Sequence, residues 1–180
     1  MRKQGIGVLL LGCFVACLLT MGASNSEPAT ARFSRTTIDL GMVVADIEAS
    51  ARFYQEVIGF TEAGGFSVSA EMAGDTGLTD YKAINVRVFA LGKEPTATRL
   101  KIIAFPDAPG KKVDNEFISS SLGYSYLTIR VSDMTAALAR LKAHAVAPVK
   151  KPYQLGHANN YLTLVKDPDG NIIELIGPMK

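Results

Sequence analysis

The reactive side chains of this 180-residue chain are few: two histidines, His144 and His157, and two cysteines, Cys13 and Cys17. Both thiols lie inside an apolar run near the N-terminus. The rest of the chain has none, which excludes disulfides, cysteine nucleophiles, thiolate zinc sites and iron–sulfur clusters from it. His157 sits in Leu155-Gly156-His157-Ala158-Asn159-Asn160-Tyr161, a loop-like stretch leading into a strand-like one. An imidazole there serves as a substrate contact, as a proton carrier, or as nothing more than a solvated loop residue. His144 falls near the end of a helical pattern, where a cation suits the helix dipole, and reads as a surface residue.

The elements that position such groups are written twice. Leu40-Gly41-Met42-Val43-Val44-Ala45-Asp46 is echoed by Leu127-Thr128-Ile129-Arg130-Val131-Ser132-Asp133 at a constant offset of 87. Each copy reads as an alternating strand running into an Asp N-cap and an amphipathic helix. A duplicated unit builds a pseudo-symmetric structure with its working cleft between the copies.

Ahead of the repeat, Arg2 and Lys3 precede an uncharged run from Gly5 to Ala23 and then Ser24-Asn25-Ser26-Glu27. That order is expected of a secretory signal peptide over 1–31, cleaved after Ala29-Thr30-Ala31 or near Gly22-Ala23-Ser24. The alternatives are an uncleaved anchor and lipid attachment at Cys17 or Cys13. The expected location is periplasmic or secreted, with membrane contact only through this segment. Without residues 1–31 there remain 17 basic and 16 acidic residues. This near-neutral balance, with no basic stripe and no tryptophan, argues against nucleic acid and for a small molecule or a second copy as partner.

Along the remaining chain, Ile47, Ala51, Tyr54, Val57 and Ile58 form one apolar helical stripe that Gly59 ends. Strands are expected at 60–69, 83–91 and 98–105, with a Gly-rich loop at 73–77. The connector 108–123 is rich in Gly, Lys and Ser and carries at most one helical turn, near 116–120. A strand at 124–131 then leads to a helix with stripe Met134, Ala137, Leu138, Leu141 and Ala145. An edge strand near 146–150 is broken by Pro148 and Pro152. A hairpin of 161–166 and 171–176 closes on Asp167-Pro168-Asp169-Gly170. The two halves, 36–107 and 124–177, are each βαβββ, and the fold class is α+β: one curled mixed sheet around a central cleft.

This arrangement resembles the vicinal oxygen chelate superfamily, which holds glyoxalase I, extradiol dioxygenases, fosfomycin-resistance enzymes and bleomycin-resistance binding proteins. The pieces that carry the resemblance are the hairpin Asp167-Pro168-Asp169-Gly170-Asn171-Ile172-Ile173-Glu174-Leu175 and the run from Asp46 to Phe60. The resemblance implies a cup in which metal-using members take four ligands, His or Gln on the opening strands and Glu (sometimes His or Gln) on the closing ones. The matching positions here are Asp39, Lys101, Tyr126 and Glu174, and the 87-residue offset relates the first to the third. Only Glu174 fits that pattern.

A charged ammonium offers no lone pair, so Lys101 is expected to replace the metal, lying between Asp39 and Glu174 with the Tyr126 hydroxyl completing the bonds. Arg87, His157 and Tyr161 are expected on the cleft wall and Arg130 away from it. Glu174 is the best candidate for a general base, although a lysine partner would lower its pKa. The leading expectation is a metal-independent small-molecule-binding protein of the bleomycin-resistance type, without cofactor and pairing as a homodimer. Two alternatives remain. One is a divalent-metal lyase, isomerase or dioxygenase that recruits His157 and Glu174; the other is a structural or interaction domain with no active cleft.

Overall fold

The structure, a computed structural model, describes residues 33–180; the signal-peptide, anchor and lipidation expectations lie outside them. Among the described residues no helix is long and apolar enough to cross a membrane. Strand β1 (Asp39–Val43) leads into helix α1 (Ile47–Arg52), which continues as a π-helical turn over Phe53–Ile58. Asp46 begins α1 because its carboxylate accepts from the backbone N–H of Glu48 and Ala49, both at 2.9 Å. The wider π-helical turn carries Phe53, Tyr54, Val57 and Ile58 into the core. It ends at Gly59, whose φ of +102° suits glycine, and the Ile58 carbonyl there accepts from Arg140 Nη2 at 2.6 Å.

Strands β2 (Thr61–Val68), β3 (Ile84–Ala90) and β4 (Arg99–Ile103) complete the first sheet in the order β1-β4-β3-β2, with β1 and β4 parallel. The second half runs β5 (Tyr126–Arg130), α3 (Met134–Ala143), β6 (Tyr153–Gln154), β7 (Tyr161–Lys166) and β8 (Ile172–Gly177). Its sheet has the equivalent order, β5-β8-β7-β6. The fold is therefore α+β with two βαβββ halves, but the strands form two four-stranded sheets and not one continuous sheet.

Three local expectations are corrected. The Gly-rich stretch at 73–77 is not a loop throughout. Residues Ala70–Asp75 form helix α2, capped by Ser69, and bury Ala73 against Val68, Ile84, Val86 and Val88. Helix α3 ends before Ala145, which adopts φ +56° and is exposed. No regular strand forms at 146–150, where Val146 N donates back to the Leu141 carbonyl and a single bond reaches the sheet, from Val149 N to the Leu164 carbonyl. Two prolines and that lone contact leave β6 only two residues long.

The main core lies between the sheets and the helices α1 and α3. Phe89, Leu100, Ile102, Ile129, Ile173 and Leu175 come from the strands to meet Val44, Tyr54, Val57, Met134 and Leu141. Through it the halves are joined by a polar latch. The buried Asp167 carboxylate accepts from Tyr54 Oη at 3.0 Å, from the N–H of Asp169 and Asn171, and from Asn171 Nδ2. Next to it, the Asp169 carboxylate accepts from the Ala45 N–H at 3.2 Å. Burial, and then the neighbouring Asp167 charge, push the Tyr54 hydroxyl far above its usual range, so it stays a donor.

Removing one donor from a buried carboxylate leaves desolvation that nothing offsets. Tyr54→Phe is expected to lower stability by about 1–3 kcal/mol in urea denaturation. Tyr81→Phe, whose hydroxyl meets only the exposed Asp75, should stay within about 0.5 kcal/mol.

Candidate functional site

Strand parity decides which groups share the face turned away from α1 and α3. In β4, Leu100 and Ile102 are 2% and 0% exposed and enter the main core, so Lys101 between them stands on the opposite, cup face. Its register partner on β1 is Gly41, two residues beyond Asp39 on the same face. In the second half Glu174 of β8 pairs with Thr128 of β5, two residues beyond Tyr126. The offset of 87 thus relates Asp39 to Tyr126 and Gly41 to Thr128. The four positions occupy equivalent places in the two halves.

Their partners differ between the halves. Lys101 Nζ lies 3.1 Å from Asp39 Oδ2, which also accepts from Arg35 Nη2 at 3.1 Å. Glu174 Oε1 instead accepts from Thr128 Oγ1 at 2.8 Å. The expected bridge, one ammonium between two carboxylates, is not the arrangement found. Gly41 leaves Lys101 no neighbour on β1 until Asp39, whereas Thr128 supplies Glu174 with a hydroxyl directly opposite. Tyr126 is half exposed. The hydrogen bond from Lys101, opposed by burial and reinforced by the charges of Lys101, Arg35 and Arg99, holds Asp39 below the usual carboxylate range. Its Oδ1 is buried without a hydrogen-bond partner among the described residues.

Arg87 and Tyr161 lie outside the cup. Arg87 is opposite Ile102 in register, on the helix face. There its guanidinium takes both oxygens of Glu62 at 2.7 and 2.9 Å and reaches Glu48 of α1 at 2.9 Å. That bidentate bond lowers the pKa of Glu62. Tyr161 shares its strand face with Val165 and packs against the main core. His157 is exposed in the turn between β6 and β7. Tyr161 already lies three residues, roughly 10 Å, along β7 from Leu164, the register partner of Glu174. His144 caps the end of α3, 3.7 Å from Glu56.

Arg130 is a correction in the other sense, since it follows Thr128 on the cup face, opposite Ile176. Sequence reasoning also missed Gly41, Phe66 and Thr128. The repeat held the signal for two of them, since position 41 is bare where position 128 carries a hydroxyl.

Between the unpaired edges of β1 and β5 runs a groove of about 520 Å³, reached by Asp39, Gly41, Tyr124 and Tyr126 and backed by Tyr54 and Asn171. The donor set around it does not fit a divalent metal. Among the described residues no three or more His, Cys, Asp or Glu side chains converge as ligands. Lys101 is bonded to one of the two carboxylates available, and an ammonium ~4 Å from a divalent ion opposes it by roughly 8 kcal/mol at a dielectric of ~20.

The sequence model described as Glyoxalase/Bleomycin resistance protein/Dioxygenase superfamily matches residues 36–175. Among solved structures, a glyoxalase family protein from Bacillus cereus superposes with a TM-score of 0.70 at 21% identity, covering 85% of this chain and 99% of that one. A glyoxalase/dioxygenase from Nostoc punctiforme gives 0.56 at 18%, covering 81% and 92%. A glyoxylase/bleomycin resistance protein/dioxygenase domain from Frankia sp. EAN1pec gives 0.57 at 16%, covering 83% and 95%. No curated protein matches the chain.

The folded pKa of Asp39 lies below the ordinary 3.8. Its pairing therefore stabilises the fold fully above that pH and is lost as pH falls through the depressed value. Lys101→Ala is expected to cost about 1 kcal/mol at pH 7, a modest sum because both partners keep some solvent contact. The difference from the unsubstituted protein should shrink in urea melts taken below pH 3.8.

Proposed function

The chain belongs to the Glyoxalase/Bleomycin resistance protein/Dioxygenase superfamily, and on that premise we propose that it is an exported member that binds a small molecule without a metal. The observation that carries this reading is the 3.1 Å contact of Lys101 with Asp39. Two of the four positions where metal-using members place ligands are joined to each other by an ion pair. A third, Tyr126, offers a half-exposed phenol in place of the His or Gln of those members. The fourth, Glu174, is held by Thr128. A groove of about 520 Å³, lined by Asp39 and Tyr126 of these four, is within the range of small-molecule sites.

Export rests on the basic, apolar, small-residue order of the first 31 residues. It disfavours a glutathione adduct made in the cytosol as the ligand. The open edge of β2, exposed along nearly its whole length, supports pairing with a second copy.

Two measurements on protein purified without chelator test the proposal. Elemental analysis is expected to find metal well below one equivalent, and native mass spectrometry to find an organic molecule released on denaturation. Stoichiometric zinc, nickel, manganese or iron would overturn the metal-independent reading.

A further inference from the structure

The two halves differ most at the centre of their opening strands. Gly41 stands in the middle of β1, and a Cβ built there would meet nothing within 4 Å. A glycine inside a strand weakens it, and such a residue often marks close approach by a ligand. Its counterpart Thr128 fills the same place in the second half and occupies Glu174. The open space over β1 is bordered by Lys101, the register partner of Gly41.

Three features define what suits that space. Lys101 has three N–H donors and gives one to Asp39, leaving two for an acceptor. Charge on this side is unbalanced: Asp39 is approached by Lys101 and Arg35 at 3.1 Å, and Arg99, its register partner, is exposed. One carboxylate among three cations favours an incoming anion. Two rings stand nearby: Tyr126 lines the groove with Gly41, and Phe66 lies against the ammonium, its centroid 5.9 Å from Lys101 Nζ; both are 49% exposed. Exposed aromatic faces with little else to cover them suit a flat ring.

We infer that the cup takes a planar aromatic carboxylate, its acid group on Lys101 and its ring lying over Gly41, an assignment that rests on the binding reading above. The ring replaces water against Tyr126, and the carboxylate accepts the two free ammonium protons while Asp39 keeps the third. A cationic ligand would bring a like charge against Lys101, Arg35 and Arg99.

Titration calorimetry with three probes tests this: 2-naphthoate, 2-naphthylmethylammonium and cyclohexanecarboxylate. Naphthoate is expected to bind about tenfold or more tightly than either of the others, and Lys101→Met to remove that advantage. Gly41→Leu, whose side chain enters open space, should abolish naphthoate binding while the thermal midpoint stays unchanged. Equal or tighter binding of the ammonium probe, or undiminished naphthoate binding by Gly41→Leu, overturns the inference. Should only the ammonium probe bind, and Gly41→Leu abolish it, the acid assignment falls and binding in the cup stands. If no probe binds and no molecule co-purifies, both fall.

Discussion

The contact between Lys101 and Asp39 is the constraint from which the chemistry of this fold follows. Neither residue chose its place independently. Leu100 and Ile102 are fixed in the main core, and a one-residue slip of β4 would expose both and bury an ammonium. The apolar pattern therefore locks the ammonium on the cup face, and the bare Gly41 leaves Asp39 as its partner on β1. The pair itself adds little stability, because both groups keep some water. Its consequence is chemical: an ammonium bonded to a carboxylate cannot donate to a cation, and it spends one of the few oxygen ligands nearby.

A site built from two halves works only if the halves hold still. The latch around Asp167 does this from the helix side. It takes a hydroxyl from Tyr54 in the first half and backbone and amide donors from its own turn, while Asp169 reaches Ala45 at the end of β1. Arg140 adds a third tie by donating to the Ile58 carbonyl from α3. All three lie near the loops that enter or leave the helices. The sheets therefore meet with β1 and β5 unpaired along the groove, their backbone edges open to whatever enters it.

Much of this is legible in the sequence alone. The repeat, the Asp caps, the alternation in β1 and β4 and the turn at 167–170 each have a local physical cause, so they read directly. Arg87 did not, because Ile84, Val86 and Val88 are also apolar. In the first half the cup face is itself packed, by α2 and Ala73, and a rule that puts polar groups toward the cleft picks the wrong parity. Tyr161 failed for the converse reason: its core-facing neighbour Thr163 is polar yet 2% exposed. The partner of Glu174 depended on a single hydroxyl across a parallel strand pair, which the repeat shows only when positions 41 and 128 are compared. Asp167 read as a turn former, and nothing local to the turn announces the Tyr54 hydroxyl arriving from the other half.

The family's architecture is thus retained while the centre of its cup carries a different charge logic. In metal-using members a divalent ion organises oxygen ligands from both halves. Here an ammonium is paired with a carboxylate of the first half, and the carboxylate of the second accepts from a hydroxyl of its own half. Diffraction from crystals grown in nickel, recorded on both sides of the metal's absorption edge, tests that difference most directly. Lys101 Nζ is expected in contact with Asp39, with no anomalous peak bonded to Asp39 or Glu174. A nickel peak bonded to both carboxylates, with Lys101 turned out to solvent, would contradict it.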